Sequence, residues 1–125
     1  MRRLEIHAGD VRVSGELHDT RTADAIWEAL PLSAEVNTWG DEIYFNIPVQ
    51  MAGEDARSVV ALGDLGYWPP GSAFCIFFGP TPVSRGKEIH PASPVNVFGR
   101  IVGDLQALKR VKDGQSIRVL QVHES

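Results

Sequence analysis

Residues 66–78 read Gly66-Tyr67-Trp68-Pro69-Pro70-Gly71-Ser72-Ala73-Phe74-Cys75-Ile76-Phe77-Phe78. Proline fixes the backbone angle φ and glycine allows angles that other residues resist, so the first six residues predict a rigid loop that presents Tyr67 and Trp68. The run that follows is almost entirely apolar, which predicts a strand buried on both faces. We therefore expect the aromatic loop to lie beside a core strand, where it either plugs the core or forms a binding surface.

The composition is that of an ordinary globular protein, and we expect residues 1–125 to form one domain. The chain has 125 residues, of which 43% are hydrophobic, and a formal net charge of −4. That charge, without a basic stripe, argues against nucleic-acid binding. The single cysteine excludes an internal disulfide and fits a reducing compartment. The sequence contains neither a secretory signal nor an apolar stretch of about 20 residues, so we expect a cytoplasmic protein that does not enter the membrane.

Strand signals dominate the rest of the chain. The predicted elements are a hairpin over residues 2–17, a helix from an N-cap at Thr22 to Leu30, strands over 33–39 and 43–47, a strand beginning at 59–62, an irregular stretch over 79–94, a strand over 95–102 interrupted by Gly99, a short helix over 105–111 and a last strand over 115–123. About eight strands with two short helices predict a mainly β fold, in the form of a closed antiparallel barrel.

Three segments resemble those of cyclophilins and occur in the same order. Residues 22–30 resemble the first helix of that family with its Thr-Ala start, residues 71–76 resemble its Gly-Ser-Gln-Phe-Phe-Ile strand, and residues 97–102 resemble its Val-Phe-Gly-Lys-Val segment. Through residues 36–45, 66–71 and 77–82 the chain resembles more closely the small prokaryotic cyclophilin-like proteins. The resemblance implies an eight-stranded barrel capped by helices, and it implies no established activity.

The residues that cyclophilins use for prolyl isomerisation are absent from the matching positions of this chain. Cyclophilins use an arginine that hydrogen-bonds the prolyl nitrogen, a glutamine that positions the peptide carbonyl, and an apolar pocket for the proline ring. Here no Arg or Lys occurs between residues 22 and 56, Ala73 stands at the position of the glutamine, and Cys75 at that of a pocket phenylalanine. Loss of one preorganised donor commonly costs about 3–4 kcal/mol of barrier stabilisation, so we expect little isomerase activity.

Other reactive residues favour structural interpretations. Cys75 lies in an apolar run without an adjacent cation and is interpreted as a buried small hydrophobe. The four histidines have no metal-ligand spacing, so no metal is predicted, and residues 63–66 form a turn rather than a phosphate cradle, so no cofactor is predicted. Asp41-Glu42 is interpreted as a turn and the solvated start of a strand, because adjacent strand residues face opposite sides.

The leading hypothesis is a binding domain that holds a small molecule or a short peptide in a pocket on the side of the barrel. The candidate ligand-binding residues are Trp39, Tyr44, Tyr67, Trp68 and His90. Tyr and Trp suit either a pocket or a core, because each joins an apolar body to a polar group. Two alternatives stay open: a weak peptidyl-prolyl isomerase, and a domain of an amide-processing hydrolase that works only with a partner chain. The sequence leaves the oligomeric state and any catalytic residue open.

Overall fold

The chain begins with the predicted hairpin and continues almost entirely as strands. The computed structural model describes residues 2–123. In chain order the elements are β1 (Arg3–Ala8), β2 (Val11–Leu17), α1 (Arg21–Ala29), β3 (Leu32–Glu35), β4 (Asn37–Thr38), β5 (Glu42–Asn46), β6 (Asp64–Trp68), a 3-10 helix (Pro69–Gly71), β7 (Ala73–Phe77), β8 (Asn96–Val102), a second 3-10 helix (Leu105–Arg110) and β9 (Ser116–Val122). Among residues 2–123, no helix has both the length and the apolar character needed to cross a membrane.

The strands form one antiparallel sheet that curls into a nearly closed barrel. Their order is β3-β9-β1-β2-β8-β6-β7-β5-β4, so the two edge strands, β3 and β4, are consecutive in the chain. Only Val36 separates them, and its backbone pairs with Gln115 and Gly114 instead of continuing the ladder. The predicted mainly β barrel is confirmed, but residues 2–123 form nine strands rather than eight, because the strand predicted over 33–39 is divided at Val36.

The sheet carries apolar residues on both faces, which gives the protein two separate hydrophobic clusters. The inner face fills the barrel, where the Phe74 ring stacks on Phe45 at 4.9 Å and meets Phe98 edge-on at 5.1 Å between ring centroids. The outer face of β5, β7, β6 and β8 carries a second cluster. Its buried members are Val60, Ala73, Cys75, Phe77, Ile89 and Val95. All five residues of β7 are buried, as the sequence predicts, because this strand serves both clusters.

Helix α1 begins two residues earlier than predicted. The N-cap is Thr20, whose hydroxyl accepts a hydrogen bond from the Ala23 N–H at 3.0 Å. Thr22 is instead fully buried, and its hydroxyl donates to the Glu54 carboxylate at 2.6 Å. The predicted second helix is a short 3-10 segment that ends at Arg110.

Strand β6 is the element that the sequence placed least well. The prediction began a strand at residues 59–62 and put the aromatic pair in a loop, whereas the strand begins at Asp64 and includes both Tyr67 and Trp68. The register between β6 and β8 shifts at Leu65–Gly66, so that Phe98 is an extra residue beside Gly99. Only Pro69-Pro70-Gly71 remains as the connection to β7.

Candidate functional site

A concave pocket of about 140 Å³ opens on the outer face of the sheet, above the second hydrophobic cluster. Its walls are mainly apolar and aromatic, with one carboxyl group and one thiol. The lining residues are Trp39, Glu42, Tyr44, Trp68, Cys75, Pro91, Ala92 and Val95.

Strand alternation explains how three of these side chains meet. Glu42 and Tyr44 are two residues apart on β5 and therefore project from the same face. Cys75 is the direct partner of Tyr44 on the neighbouring strand β7. Trp39 joins them because its backbone exchanges two hydrogen bonds with Glu42 across a two-residue turn, in which Gly40 takes a left-handed φ of 60°.

Trp68 is held over the pocket by contacts on both sides of its indole ring. The indole N–H donates to the Ser93 hydroxyl at 2.6 Å. On the other side the ring packs on Gly71, where a Cβ atom would lie only 2.6 Å from the indole Cζ3. Gly71, which follows the two prolines, therefore permits a close approach of the Trp68 indole that a larger residue would block.

The remaining wall comes from residues 78–95, which we call the strap. It crosses the outer face between β7 and β8 and is tied down by isolated pairings of Val60 with Ile89 and of Arg57 with Val95. Within it, the Ser84 hydroxyl accepts a hydrogen bond from the Thr81 N–H at 2.9 Å. Because these bonds fix the strap, the Pro91 wall of the pocket is preformed.

Glu42 is the unusual group in this site. It is only 6% exposed, and none of the residues that the structure describes hydrogen-bonds to its Oε1 atom. Burial raises the pKa of the Glu42 carboxyl to about 7, and hydrogen bonding with the Cys75 thiol offsets part of that rise. A carboxyl group with this pKa exists in both charge states near neutral pH.

Cys75 is confirmed as a buried residue, and its surroundings suppress its reactivity. Burial raises the pKa of the thiol well above its ordinary value, and the nearby Glu42 charge raises it further. The thiolate is the nucleophilic form of cysteine, and this environment disfavours it. Cys75 therefore lines the pocket as a small neutral group.

The structure brings together three of the five candidate residues and separates the other two from them. Trp39, Tyr44 and Trp68 line the pocket. Tyr67 is fully buried inside the barrel, where its hydroxyl donates to the Val49 carbonyl at 2.6 Å. The His90 side chain is not part of the lining, and its Nε2 lies 3.4 Å from a Glu88 carboxylate oxygen.

Sequence reasoning missed Glu42, which it interpreted as part of a solvated strand start. That interpretation is wrong, because Glu42 is buried in the pocket while Asp41 is partly exposed. The alternation along β5 contains the signal, since it places Glu42 on the same face as Tyr44. Pro91, Ala92 and Val95 could not be found this way, because only the path of the strap brings them to the site.

The pocket lies beside the positions at which this chain departs from the cyclophilin pattern. Cys75 lines it, and its neighbour Ala73 belongs to the apolar cluster beneath. Within the described part of the chain, the lining residues include no arginine or lysine. The site thus combines an aromatic surface with an anionic group, whereas a cyclophilin site is built around a cation.

Comparison with known proteins agrees with this architecture. The profile of a family described as Cyclophilin-like matches residues 2–120. A hypothetical protein from Archaeoglobus fulgidus, whose solution structure is known, is 46% identical, with a TM-score of 0.83 over 97% of this chain and 95% of that one. A search of curated proteins finds no match.

Proposed function

The chain belongs to the cyclophilin-like family, and on that premise we propose that it is a binding domain that holds a small molecule or a short peptide in its outer-face pocket. The observation that carries this proposal is the preformed concave site lined by Trp39, Tyr44 and Trp68. Apolar pockets with a few convergent polar groups are the usual form of ligand sites in proteins. These three aromatic side chains are not fully buried in the barrel or under the strap, and all three stay partly exposed.

The size of the pocket limits what it can hold. Drug-sized ligands occupy roughly 300–1,000 Å³, whereas an engineered apolar cavity of about 150 Å³ holds benzene. A pocket of about 140 Å³ therefore accepts one ring-sized group, either a small molecule by itself or one side chain of a peptide.

Titration of the protein with metabolites and proline-containing peptides tests the proposal. We expect ligands to shift the indole N–H resonances of Trp39 and Trp68 in NMR spectra and to raise the melting temperature. Replacement of Trp68 by Leu should weaken binding at least about tenfold, since an aromatic ring and a hydrogen-bond donor are both lost. The matched control is Trp27→Leu on helix α1, which should leave affinity unchanged. Equal loss in both variants, or shifts confined to other surfaces, would contradict the proposal.

The arrangement of charges supports binding rather than prolyl isomerisation. An isomerase site stabilises the rotating amide with a positioned donor. The arginines that could serve as this donor lie outside the pocket. Arg100 is exposed and lies 3.4 Å from the Glu16 carboxylate. Neither Arg57 nor Arg85 belongs to the pocket lining. In a protease-coupled peptide assay we therefore expect the uncatalysed rate. A rate well above background that falls in Arg57→Ala, Arg85→Ala or Arg100→Ala would overturn this part of the proposal.

A further inference from the structure

The pocket contains a carboxyl group to which its neighbours in the described chain offer no hydrogen-bond donor stronger than a thiol. The Glu42 side chain is more than nine-tenths buried and lines the pocket, and its Oε1 atom has no donor among the residues of the described chain. Buried polar groups are almost always paired, and an unpaired one is costly, so this carboxyl group favours a ligand that pairs with it.

The groups around this carboxyl provide no compensating positive charge. On β5 its neighbour in the pocket is Tyr44, on β7 it is the protonated Cys75 thiol, and on the strap Pro91 and Ala92 are apolar. The ionisable pair on the strap, Glu88 and His90, lies outside the lining and the two side chains face each other. An ionised Glu42 is therefore a buried charge that still lacks a counterion.

The aromatic residues beside Glu42 suit a cation. Trp39, Tyr44 and Trp68 present aromatic surface to the same space, and the negative face of an aromatic ring attracts an organic cation. Aromatic cages recognise ammonium ligands, and a carboxylate beside the rings adds a charge-assisted hydrogen bond to an N–H of the same group. A neutral apolar ligand would fill the same volume but would leave the Glu42 carboxyl group without an ionic partner.

We propose that the ligand of this pocket carries a protonated amine with at least one N–H, which donates to Glu42 while its carbon atoms contact Trp39, Tyr44 and Trp68. This inference rests on the proposed binding function and adds the chemical class of the ligand. The Glu42 carboxyl group is buried in the pocket wall, so the ammonium group has to enter the pocket rather than lie across its mouth.

Three probes of nearly equal size separate charge, hydrogen bonding and shape. Cyclopentylamine is cationic and has N–H donors. N,N-dimethylpyrrolidinium is cationic but has no N–H donor, and cyclopentanol is neutral. We measure affinity at pH 8 from NMR shifts of the Trp39 and Trp68 indole N–H groups. Cyclopentylamine should bind at least about tenfold tighter than cyclopentanol, because it neutralises and satisfies Glu42. The quaternary cation should lie between them.

Proton competition supplies a second, independent readout. Only ionised Glu42 pairs with the amine, so cyclopentylamine affinity should fall about tenfold between pH 8 and pH 6, given a carboxyl pKa of about 7. Cyclopentanol affinity should stay within about twofold, since it does not require the ionised form. Glu42→Gln should abolish both the preference for the amine and the pH dependence. Glu88→Gln, which removes a carboxylate from the strap outside the pocket, should preserve both.

The outcomes separate this inference from the proposed function. Equal affinity for cyclopentanol and cyclopentylamine at the pocket would overturn the ammonium proposal and leave a neutral-ligand site. Retention of the amine preference in Glu42→Gln would also overturn it. The absence of pocket shifts with all three probes would count against the binding function as well, whereas the predicted order with its pH dependence would support both.

Discussion

Two glutamates of this protein lie in opposite environments, which shift the pKa values of their carboxyl groups in opposite directions. Burial raises the pKa of the Glu42 carboxyl to about 7, whereas hydrogen bonds from the Thr22 hydroxyl and N–H, together with the Arg21 N–H, lower that of Glu54 to about 2. Glu54 is therefore a satisfied anion that stabilises the fold. Glu42 is an acid whose ionised form is disfavoured by burial, and a perturbed pKa in a concave pocket is typical of a functional group.

Glu42→Gln should make the protein more stable above neutral pH. The folded-state pKa lies above the unfolded value of 4.5, so the unfolded chain ionises first and the stability of the native protein falls as pH rises from 4.5 through 7. The variant lacks this titration, so its free energy of unfolding should exceed that of the native protein by up to about 3 kcal/mol at pH 8. Urea unfolding between pH 5 and pH 8 measures the difference.

The control for this experiment is Glu88→Gln, whose carboxylate is well exposed and should change stability by less than about 0.5 kcal/mol at every pH. A Glu42→Gln variant with the same pH profile as the native protein would mean that Glu42 is not buried as described.

At the scale of elements, helix α1 is anchored by a polar network at its start. Glu54 accepts from the N–H groups of Arg21 and Thr22 at 3.0 and 2.9 Å. Asn96 on β8 ties the same point to the loop after β5, since its side-chain amide donates to the Thr22 hydroxyl at 3.2 Å and to the Ala52 carbonyl at 3.0 Å. Glu54 and Asn96 together thus join the helix, the loop and the barrel.

Glu54→Gln should destabilise the protein at pH 7 by about 2 kcal/mol, because charge-assisted hydrogen bonds to the helix start are replaced by weaker ones. The folded-state pKa is lowered, so the contribution of Glu54 is complete above about 4.5 and is lost as pH falls towards 2. The gap between native protein and variant should therefore narrow between pH 5 and pH 3. Glu28→Gln, an exposed residue of the same helix, is the matched control, and a constant gap would contradict the assignment.

Comparison of the predicted with the observed strands and helix shows how far the sequence determines this fold. Periodicity and the cyclophilin resemblance identified the hairpin, the helix, the doubly buried β7 and the barrel. They misplaced β6, because Val59 and Leu62 look strand-like locally but lie in an exposed connection. Once the strand includes both Tyr67 and Trp68, its alternation places one ring in the core and the other in the pocket. The strap wall depends on tertiary contacts that no local pattern encodes.

Gly71→Ala should weaken ligand binding without unfolding the protein. The added methyl group would meet the Trp68 indole at 2.6 Å, so the ring has to move away from its position over the pocket. We expect the Trp68–Ser93 hydrogen bond to break, with a shift of the indole N–H resonance and an affinity loss of about tenfold. Gly53→Ala is the control, because an added Cβ there would lie 3.7 Å from its nearest neighbour, the Ala56 Cβ. An unchanged Trp68 resonance in Gly71→Ala would contradict the packing argument.

At the scale of the whole molecule, the barrel and the site use opposite faces of one sheet. The inner face buries the aromatic core that closes the barrel, while the outer face, covered by the strap, carries a small aromatic pocket around Glu42. By the cyclophilin resemblance, Ala73 and Cys75 on the outer face stand where cyclophilins have a glutamine and a pocket phenylalanine.

The most direct test of this account is a map of where small amines and peptides bind on the whole protein. Backbone and indole NMR shifts, recorded at pH 8 during titration with cyclopentylamine, report every surface at once. We predict shifts centred on Trp39, Glu42, Tyr44 and Cys75, with affinity reduced to that of cyclopentanol in Glu42→Gln. Shifts centred instead on residues 50–52, which lie outside this pocket, would contradict the proposal.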